Sequence, residues 1–76
     1  MILAIDIGNT NIVFGVFKNQ KLVSIYRVNS NKDDLNKTHF LSNYNIKKII
    51  ISSVVPSLTD KVQKLCKKYL NLNSFI

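Results

Sequence analysis

Residues 2–18 have the sequence ILAIDIGNTNIVFGVFK, and this stretch decides the fold. A nearly continuous apolar run from Ile2 to Ile7 stops at Gly8, and a second run extends from Asn11 to Lys18. Short apolar runs bounded by turn residues predict β-strands, and the first run is typical of a strand covered on both faces. Because the connection between the two runs is only a few residues long, the strands must pair antiparallel.

The turn between these strands is unusually polar. Asp6 lies just inside the first strand, and the turn that follows consists of Gly8, Asn9, Thr10 and Asn11. Glycine permits a positive φ and a close approach of a ligand, and successive amides can form a nest for an anion. A carboxylate beside such amides suits a ligand made of Mg²⁺ and phosphate. An ordinary Asx-type hairpin turn, with Asp6 paired to a lysine, explains the same residues equally well.

The next part of the chain predicts a third strand and a helix. Asn19-Gln20 fits a two-residue hairpin turn. Residues 21–28 alternate like a half-buried strand, and one face of it carries Leu22, Ser24, Tyr26 and Val28. Ser30 or Asn31 can cap a helix that runs to about Asn43. We expect this helix to be weak, because several of its residues are poor helix formers.

The remaining residues predict a strand, a helix and the start of a last strand. Residues 46–55 have the composition of a buried central strand, which Pro56 ends. Residues 57–60 have the form of a capping box, and the apolar face of the helix that follows consists of Leu58, Val62, Leu65, Cys66 and Tyr69. Residues 74–76 look like the beginning of another strand. The sequence therefore predicts an α/β fold with a five-stranded mixed sheet in the order β-β-β-α-β-α-β.

Composition narrows the class of protein. With 46 % hydrophobic residues in a chain of 76, a globular domain is expected. The sequence contains no 18-residue apolar run, so we predict no membrane partner. It lacks the features of a signal peptide, and Cys66 is its single cysteine, so we predict a cytoplasmic protein. The formal charge of +7 comes mainly from scattered lysines with few aromatic residues between them. This pattern disfavours nucleic-acid binding and favours an acidic or phosphorylated small ligand.

Two motifs decide between the interpretations of the polar turn. The pattern D-x-G-N-T-x-x-x-x-G-x-F, in residues 6–17, resembles the first phosphate-binding motif of the type III pantothenate kinases. That family belongs to the acetate kinase, sugar kinase, heat-shock protein and actin superfamily. Residues 52–56, Ser-Ser-Val-Val-Pro, are similar to the family's S-V-V-P segment. The resemblance covers residues 1–76 and implies the amino-terminal, ribonuclease-H-like (actin-like ATPase) domain of a two-domain kinase.

The resemblance also implies an activity and a site. The family phosphorylates pantothenate with ATP, the first step of coenzyme A biosynthesis. By analogy the ATP-binding residues are Asp6, Ile7, Gly8, Asn9, Thr10, Asn11, Ile12 and Val13. Asp6 would be the Mg²⁺ ligand, directly or through water. A monovalent cation, K⁺ or NH₄⁺, is implied as a further cofactor, and a homodimer is implied for the full-length protein.

Other family motifs do not occur in this sequence. The G-x-D-R segment, which carries the family's expected catalytic base, and the D-x-G-T-A segment of the second domain are both missing. We therefore expect the second domain to be absent from this chain, no catalytic residue within it, and no activity of the chain alone. Two alternatives stay open. One is a non-catalytic regulatory or transcription-accessory module of the same family, and the other is a ribonuclease-H-like nuclease, for which the chain has too few strand carboxylates.

Overall fold

A single mixed sheet forms the framework of the computed structural model, which describes residues 1–30, 34–72 and 74. Its strands are β1 (Ile2–Ile7), β2 (Asn11–Lys18), β3 (Lys21–Asn29) and β4 (Lys48–Ser53), in the spatial order β3-β2-β1-β4. β2 is antiparallel to β1 and β3, whereas β4 is parallel to β1. The predicted α/β class and the antiparallel meander are confirmed. The five-strand prediction is not: the described residues form four strands, Ser74 lies outside any strand, and the rest of the predicted fifth strand falls outside the described residues.

Two helices complete the described fold. A 3₁₀ helix, Asp34–Asn43, lies between β3 and β4, and α1 (Pro56–Leu70) follows β4. The prediction of an α-helix before β4 is wrong in helix type. The sequence here contains Asn36, Thr38 and Asn43, whose low α-helical propensity agrees with a helix of the tighter 3₁₀ type. Ser30 lies four residues before this helix begins, too far to be its N-cap, and its hydroxyl donates to the Gly8 carbonyl oxygen; Asn31 lies outside the described residues.

The core lies on the face of the sheet that both helices cover. Its residues alternate along the strands and continue into the helices; they are Leu3, Ile5, Ile7, Ile12, Phe14, Val16, Leu41, Ile46, Ile49, Ile51, Val62 and Cys66. The ring of Phe40 stacks on Tyr26 at 3.9 Å and meets Phe14 edge-on at 5.6 Å. These ring contacts fix the 3₁₀ helix against β2 and β3.

A chain of hydroxyl groups supports the same contact. Tyr44 donates from its hydroxyl to Ser24 Oγ at 2.8 Å, and its oxygen lies 2.6 Å from the Tyr26 hydroxyl. The hydrogen bond with Tyr44 raises the pKa of Tyr26. The pKa of Tyr44 is lowered, because its phenolate can accept hydrogen bonds from Ser24 and Tyr26. The network joins β3 to the residue that follows the 3₁₀ helix.

The opposite face of the sheet is uncovered in the described part of the chain. Ile2, Ile25 and Ile50 lie there and are 41 %, 58 % and 44 % exposed. We call this surface the open face. The expectations that β1 is covered on both faces and that β4 is a buried central strand are therefore wrong, and β4 lies at the edge of the described sheet. The error has a simple cause: in the sequence, an apolar residue on an open face looks the same as one in a two-sided core.

A β-bulge changes the face on which Leu22 lies. Phe17 pairs with Leu22 whereas Val16 pairs with Ser24, so Val23 is the extra residue of β3. Leu22 is consequently 50 % exposed and lines a groove on the open face, contrary to the prediction that it shares a face with Ser24. The predicted hairpin turn just before it is confirmed, with positive φ at both central residues, 52° and 69°.

The start of α1 differs from the prediction, although its apolar face does not. The helix begins at Pro56, its N-cap is Val55, and no side chain caps it, so the predicted capping box is wrong. Proline suits the first helical position because it has no amide hydrogen to leave unpaired. Thr59 is buried and donates to the Val55 carbonyl oxygen at 3.3 Å. Within the described residues, no helix has both the length and the apolar character that a membrane span requires.

Candidate functional site at the turn between β1 and β2

Asp6 lies near the end of β1, on the open face. The sheet register places it between Val13 of β2 and Ser52 of β4. Its side chain is exposed and forms no ion pair or hydrogen bond within the described part of the chain. The described residues therefore do not form the alternative, in which a salt bridge between Asp6 and a lysine stabilises the turn. An exposed, unpaired carboxylate has its ligand positions available to a metal ion or to water.

The backbone of the turn is closed in an unusual way. The Gly8 amide donates to the Asn11 carbonyl oxygen at 2.9 Å. The reverse bond, from the Asn11 amide to the Gly8 carbonyl oxygen, is not formed within the described residues. Instead, the Gly8 carbonyl oxygen accepts from Ser30 Oγ at 2.8 Å, and the Thr10 carbonyl oxygen accepts from the Ser30 amide at 2.9 Å. The amides of Asn9 and Thr10 have no backbone acceptor within the described residues. Two donors are therefore available at the tip of the turn.

Gly8 allows a close backbone contact at the base of the turn. Glycine permits a positive φ, but neither Gly8 nor Gly15 has one. A Cβ atom at this position would lie 3.2 Å from the Asn11 carbonyl oxygen, closer than an ordinary van der Waals contact. Glycine therefore permits the close approach of the two backbone segments at the base of the turn.

The other predicted ATP-binding residues divide into anchors and exposed groups. Ile7 and Ile12 are completely buried cross-strand partners, so their side chains hold the turn on the core and cannot contact a ligand. Asn9 and Thr10 are exposed at the tip. Asn11 donates from Nδ2 to Thr10 Oγ1 at 3.2 Å, which orients the threonine hydroxyl.

Three residues that the sequence analysis did not assign to the site lie beside it. Ser30 holds the turn through the two bonds described above. Ser52 and Arg27 share a cross-strand row with Asp6 and Val13 on the open face. Alternation along β3 could have placed Arg27 on this face, but the sequence alone gives no register between strands. The row puts a carboxylate and a guanidinium group on the same face near the turn.

The second motif of the sequence is next to the first in space. The Val54 amide donates to the Ile7 carbonyl oxygen at 3.1 Å, which places the end of β4 beside the start of the turn. Ser53 Oγ accepts from the Val55 amide and donates to the Val55 carbonyl oxygen, each at 3.1 Å. This serine therefore shapes the passage from β4 into α1.

Metal binding at this site would rest on one carboxylate. The described residues contain no group of three or more His, Cys, Asp or Glu side chains that could hold a metal ion. Mg²⁺ often keeps several waters and is bound through one or two carboxylates plus substrate phosphates. The exposed Asp6 carboxylate, followed along the chain by a turn with two unpaired amides, fits that kind of binding.

Cys66 is not part of this site. It lies in the core, where burial raises the pKa of its thiol to about 11. The thiol is therefore protonated at neutral pH, which agrees with its predicted place on the apolar face of α1. The side chain of the single histidine, His39, lies outside the described residues.

Comparisons with known proteins bear on the family to which the whole chain belongs. The described sheet, with its polar turn between the first two strands, is consistent with the amino-terminal portion of an actin-like ATPase. The model of the type III pantothenate kinase family matches residues 2–76, and the chain belongs to that family.

Several named relatives illustrate the similarity. Type III pantothenate kinases of Geotalea uraniireducens and Listeria innocua are 38 % and 40 % identical to this chain over 87 aligned residues. That of Ehrlichia canis is 39 % identical over the same length. These alignments cover 100 % of this chain but only 33–34 % of each relative. The chain thus spans about a third of the length of the curated relatives it matches.

Proposed function

We propose that the β1–β2 turn is the ATP-phosphate loop of a pantothenate kinase, and that this chain contributes it to the phosphorylation of pantothenate. One observation carries the proposal: Asp6, an exposed and unpaired carboxylate near the end of β1, is followed in the turn by two amides that lack backbone acceptors. Membership of the type III pantothenate kinase family supports the choice of ATP as the ligand.

Each part of the loop has a distinct task in this proposal. The amides of Asn9 and Thr10, with the Thr10 hydroxyl, donate to phosphate oxygens. Asp6 holds Mg²⁺ directly or through a bound water. When bound, the metal ion neutralises negative charge on the phosphates. Ile7 and Ile12 anchor the base of the loop, because both side chains are completely buried in the core.

The chain provides only part of what the whole reaction requires. We assign the group that would activate the pantothenate hydroxyl to no residue of this sequence, and we propose that the chain binds MgATP without turnover. The monovalent cation, the homodimer and the cytoplasmic location implied by the resemblance are likewise proposals. A ribonuclease-H-like nuclease would need a cluster of acidic metal ligands, and the described residues contain none.

Calorimetric titration with ATP tests the role of Asp6. The chain is titrated as the wild type and as Asp6→Asn, with Asp60→Asn as the matched control, because Asp60 is an exposed carboxylate on α1. Each protein is measured at about 0.15 M salt, where scattered surface charges are largely screened, with Mg²⁺ and again with a chelator. We expect Asp6→Asn to weaken MgATP binding by roughly tenfold, about 1.4 kcal/mol, and Asp60→Asn to leave it unchanged.

The metal-free titration separates a metal ligand from a general charge effect. Without Mg²⁺, a carboxylate near the phosphates only repels them, so Asp6→Asn should bind ATP as well as the wild type or better. The proposal fails if wild type does not bind MgATP. The metal role of Asp6 alone fails if the two proteins bind MgATP with equal affinity.

A further inference from the structure

We infer that Ser30 is a positioning residue for the phosphate loop, and that it turns the Asn9 amide toward the open face, where Asp6 lies. The inference extends the proposed function above and rests on it for its ligand. Ser30 is neither in the turn nor in the motif from which the loop was predicted. It follows β3 directly and reaches the turn through its side chain and its backbone.

The contacts of Ser30 involve the two carbonyl groups that flank the tip of the turn. Its Oγ donates to the Gly8 carbonyl oxygen at 2.8 Å, and its amide donates to the Thr10 carbonyl oxygen at 2.9 Å. The second contact continues the β2–β3 ladder by one step beyond Asn11 and Asn29. The first replaces the bond from the Asn11 amide that would ordinarily close a two-residue turn. Ser30 is half-buried, so solvent competes less for its hydrogen bond to Gly8 than it would at an exposed residue.

The direction of the Asn9 amide follows from the planarity of the peptide bond. No peptide bond in the described chain is cis, so the Gly8 carbonyl and the Asn9 N–H point in opposite directions. Tyr26 and Val28 face the core side of β3, and Ser30 continues that alternation. The Gly8 carbonyl is therefore held toward the core side, and the Asn9 N–H points toward the open face that carries Asp6.

Without the serine hydroxyl, this peptide has little to hold it. Gly8 has no side chain to restrict the neighbouring torsion angles, and the closing bond from Asn11 is not formed among the described residues. Rotation of the Gly8–Asn9 peptide would move a carbonyl oxygen to the position where phosphate is expected. A carbonyl at that position repels an anion, whereas an amide attracts it.

The test uses nuclear magnetic resonance on the ¹⁵N- and ¹³C-labelled chain, with Ser30→Ala, Ser30→Thr and a control, Ser57→Ala. Ser57 is an exposed serine in the first turn of α1 and forms no hydrogen bond to the loop within the described residues. In the free protein, Ser30→Ala should shift the Gly8 carbonyl carbon and the Asn9 amide, while β4 and α1 signals stay in place. Ser30→Thr keeps a hydroxyl and should restore both signals. The measurements on the free protein need no nucleotide, so they decide the positioning role even if ATP does not bind.

Titration with MgATP then tests the consequence for binding. We expect Ser30→Ala to lower the affinity for MgATP about tenfold, because the Asn9 amide would no longer donate to a phosphate oxygen, a hydrogen bond to a charged group. The signal of the Asn9 amide should then no longer respond to MgATP. Ser30→Thr and Ser57→Ala should bind like wild type. The inference is overturned if Ser30→Ala is folded yet leaves the Asn9 amide and its response unchanged, or if Ser30→Thr behaves like Ser30→Ala. Absence of binding in wild type would instead overturn the proposed function.

Discussion

Two neighbouring isoleucines of β4 provide a matched test of the one-sided core. Ile49 is completely buried and Ile50 is 44 % exposed, although they share a strand, a residue type and the same edge of the sheet. Each is replaced by alanine, which removes the same three carbon atoms. The two variants therefore differ only in the face of the sheet from which those atoms are lost.

The burial values give different costs for the two changes. Transfer of three carbon-sized groups out of the core costs about 2.4 kcal/mol, and the cavity left at Ile49 brings the total to about 3–4 kcal/mol. At Ile50 nearly half of the side chain is already in water and no closed cavity forms, so the cost should be about 1 kcal/mol. A domain of this length has roughly 4–11 kcal/mol of stability in total, so Ile49→Ala should remove from about a third to nearly all of it.

Urea unfolding followed by circular dichroism measures both costs. The free energies of unfolding are compared at a common slope, because a changed slope would indicate a different folded or unfolded state. A loss at Ile50 as large as that at Ile49 would refute the reasoning, because it would mean that the open face is covered in solution. Repeating the measurement at several protein concentrations would then distinguish association from a folded cover.

Two further predictions concern the core thiol and the first hairpin. Since burial raises the pKa of Cys66 from 9.0 to about 11, the folded state holds its proton more tightly than the unfolded state. The contribution of this thiol to stability should be constant below about pH 9 and decrease from there to about pH 11. Chemical denaturation of wild type and Cys66→Ala across that range measures this change. Free energies of unfolding that run parallel with pH in the two proteins would contradict the prediction. Gln20 has a φ of 69°, so Gln20→Gly should stabilise the fold by about 0.5 kcal/mol. Thermal unfolding measures the change, with Gln63→Gly as a comparison that should destabilise the middle of α1. A melting temperature of Gln20→Gly below that of wild type would contradict the prediction.

The local features of the fold were predictable because neighbouring residues determine them. The alternation of apolar residues and the turn at Asn19-Gln20 gave β1, β2 and most of β3 with their antiparallel pairing. The spacing of Val62 and Cys66 gave the buried face of α1, although the predicted start of this helix was wrong. Each of these features depends on residues only a few positions apart.

The features that the sequence did not predict depend on more distant contacts. Val23 looks like any strand residue until Phe17 and Val16 fix the register that makes it a bulge. Ile50 looks like a core residue, because no local signal tells whether a second layer covers its face. The same holds for the site. The motif located the turn, but the contact of Ser30 with Gly8 joins residues 22 positions apart in the sequence.

The proposed function requires that Asp6 and the amides of Asn9 and Thr10 hold the metal ion and the phosphates of ATP. Replacing Mg²⁺ with paramagnetic Mn²⁺ tests it most directly, because Mn²⁺ broadens the signals of nearby amides. With a small amount of Mn²⁺ and excess ATP, we predict that broadening is strongest for Asp6, Asn9 and Thr10. It should be weakest at the carboxyl end of α1, where Lys67 and Lys68 lie. Broadening centred on those lysines, with the turn unaffected, would contradict the account and indicate capture of the nucleotide by surface charge alone.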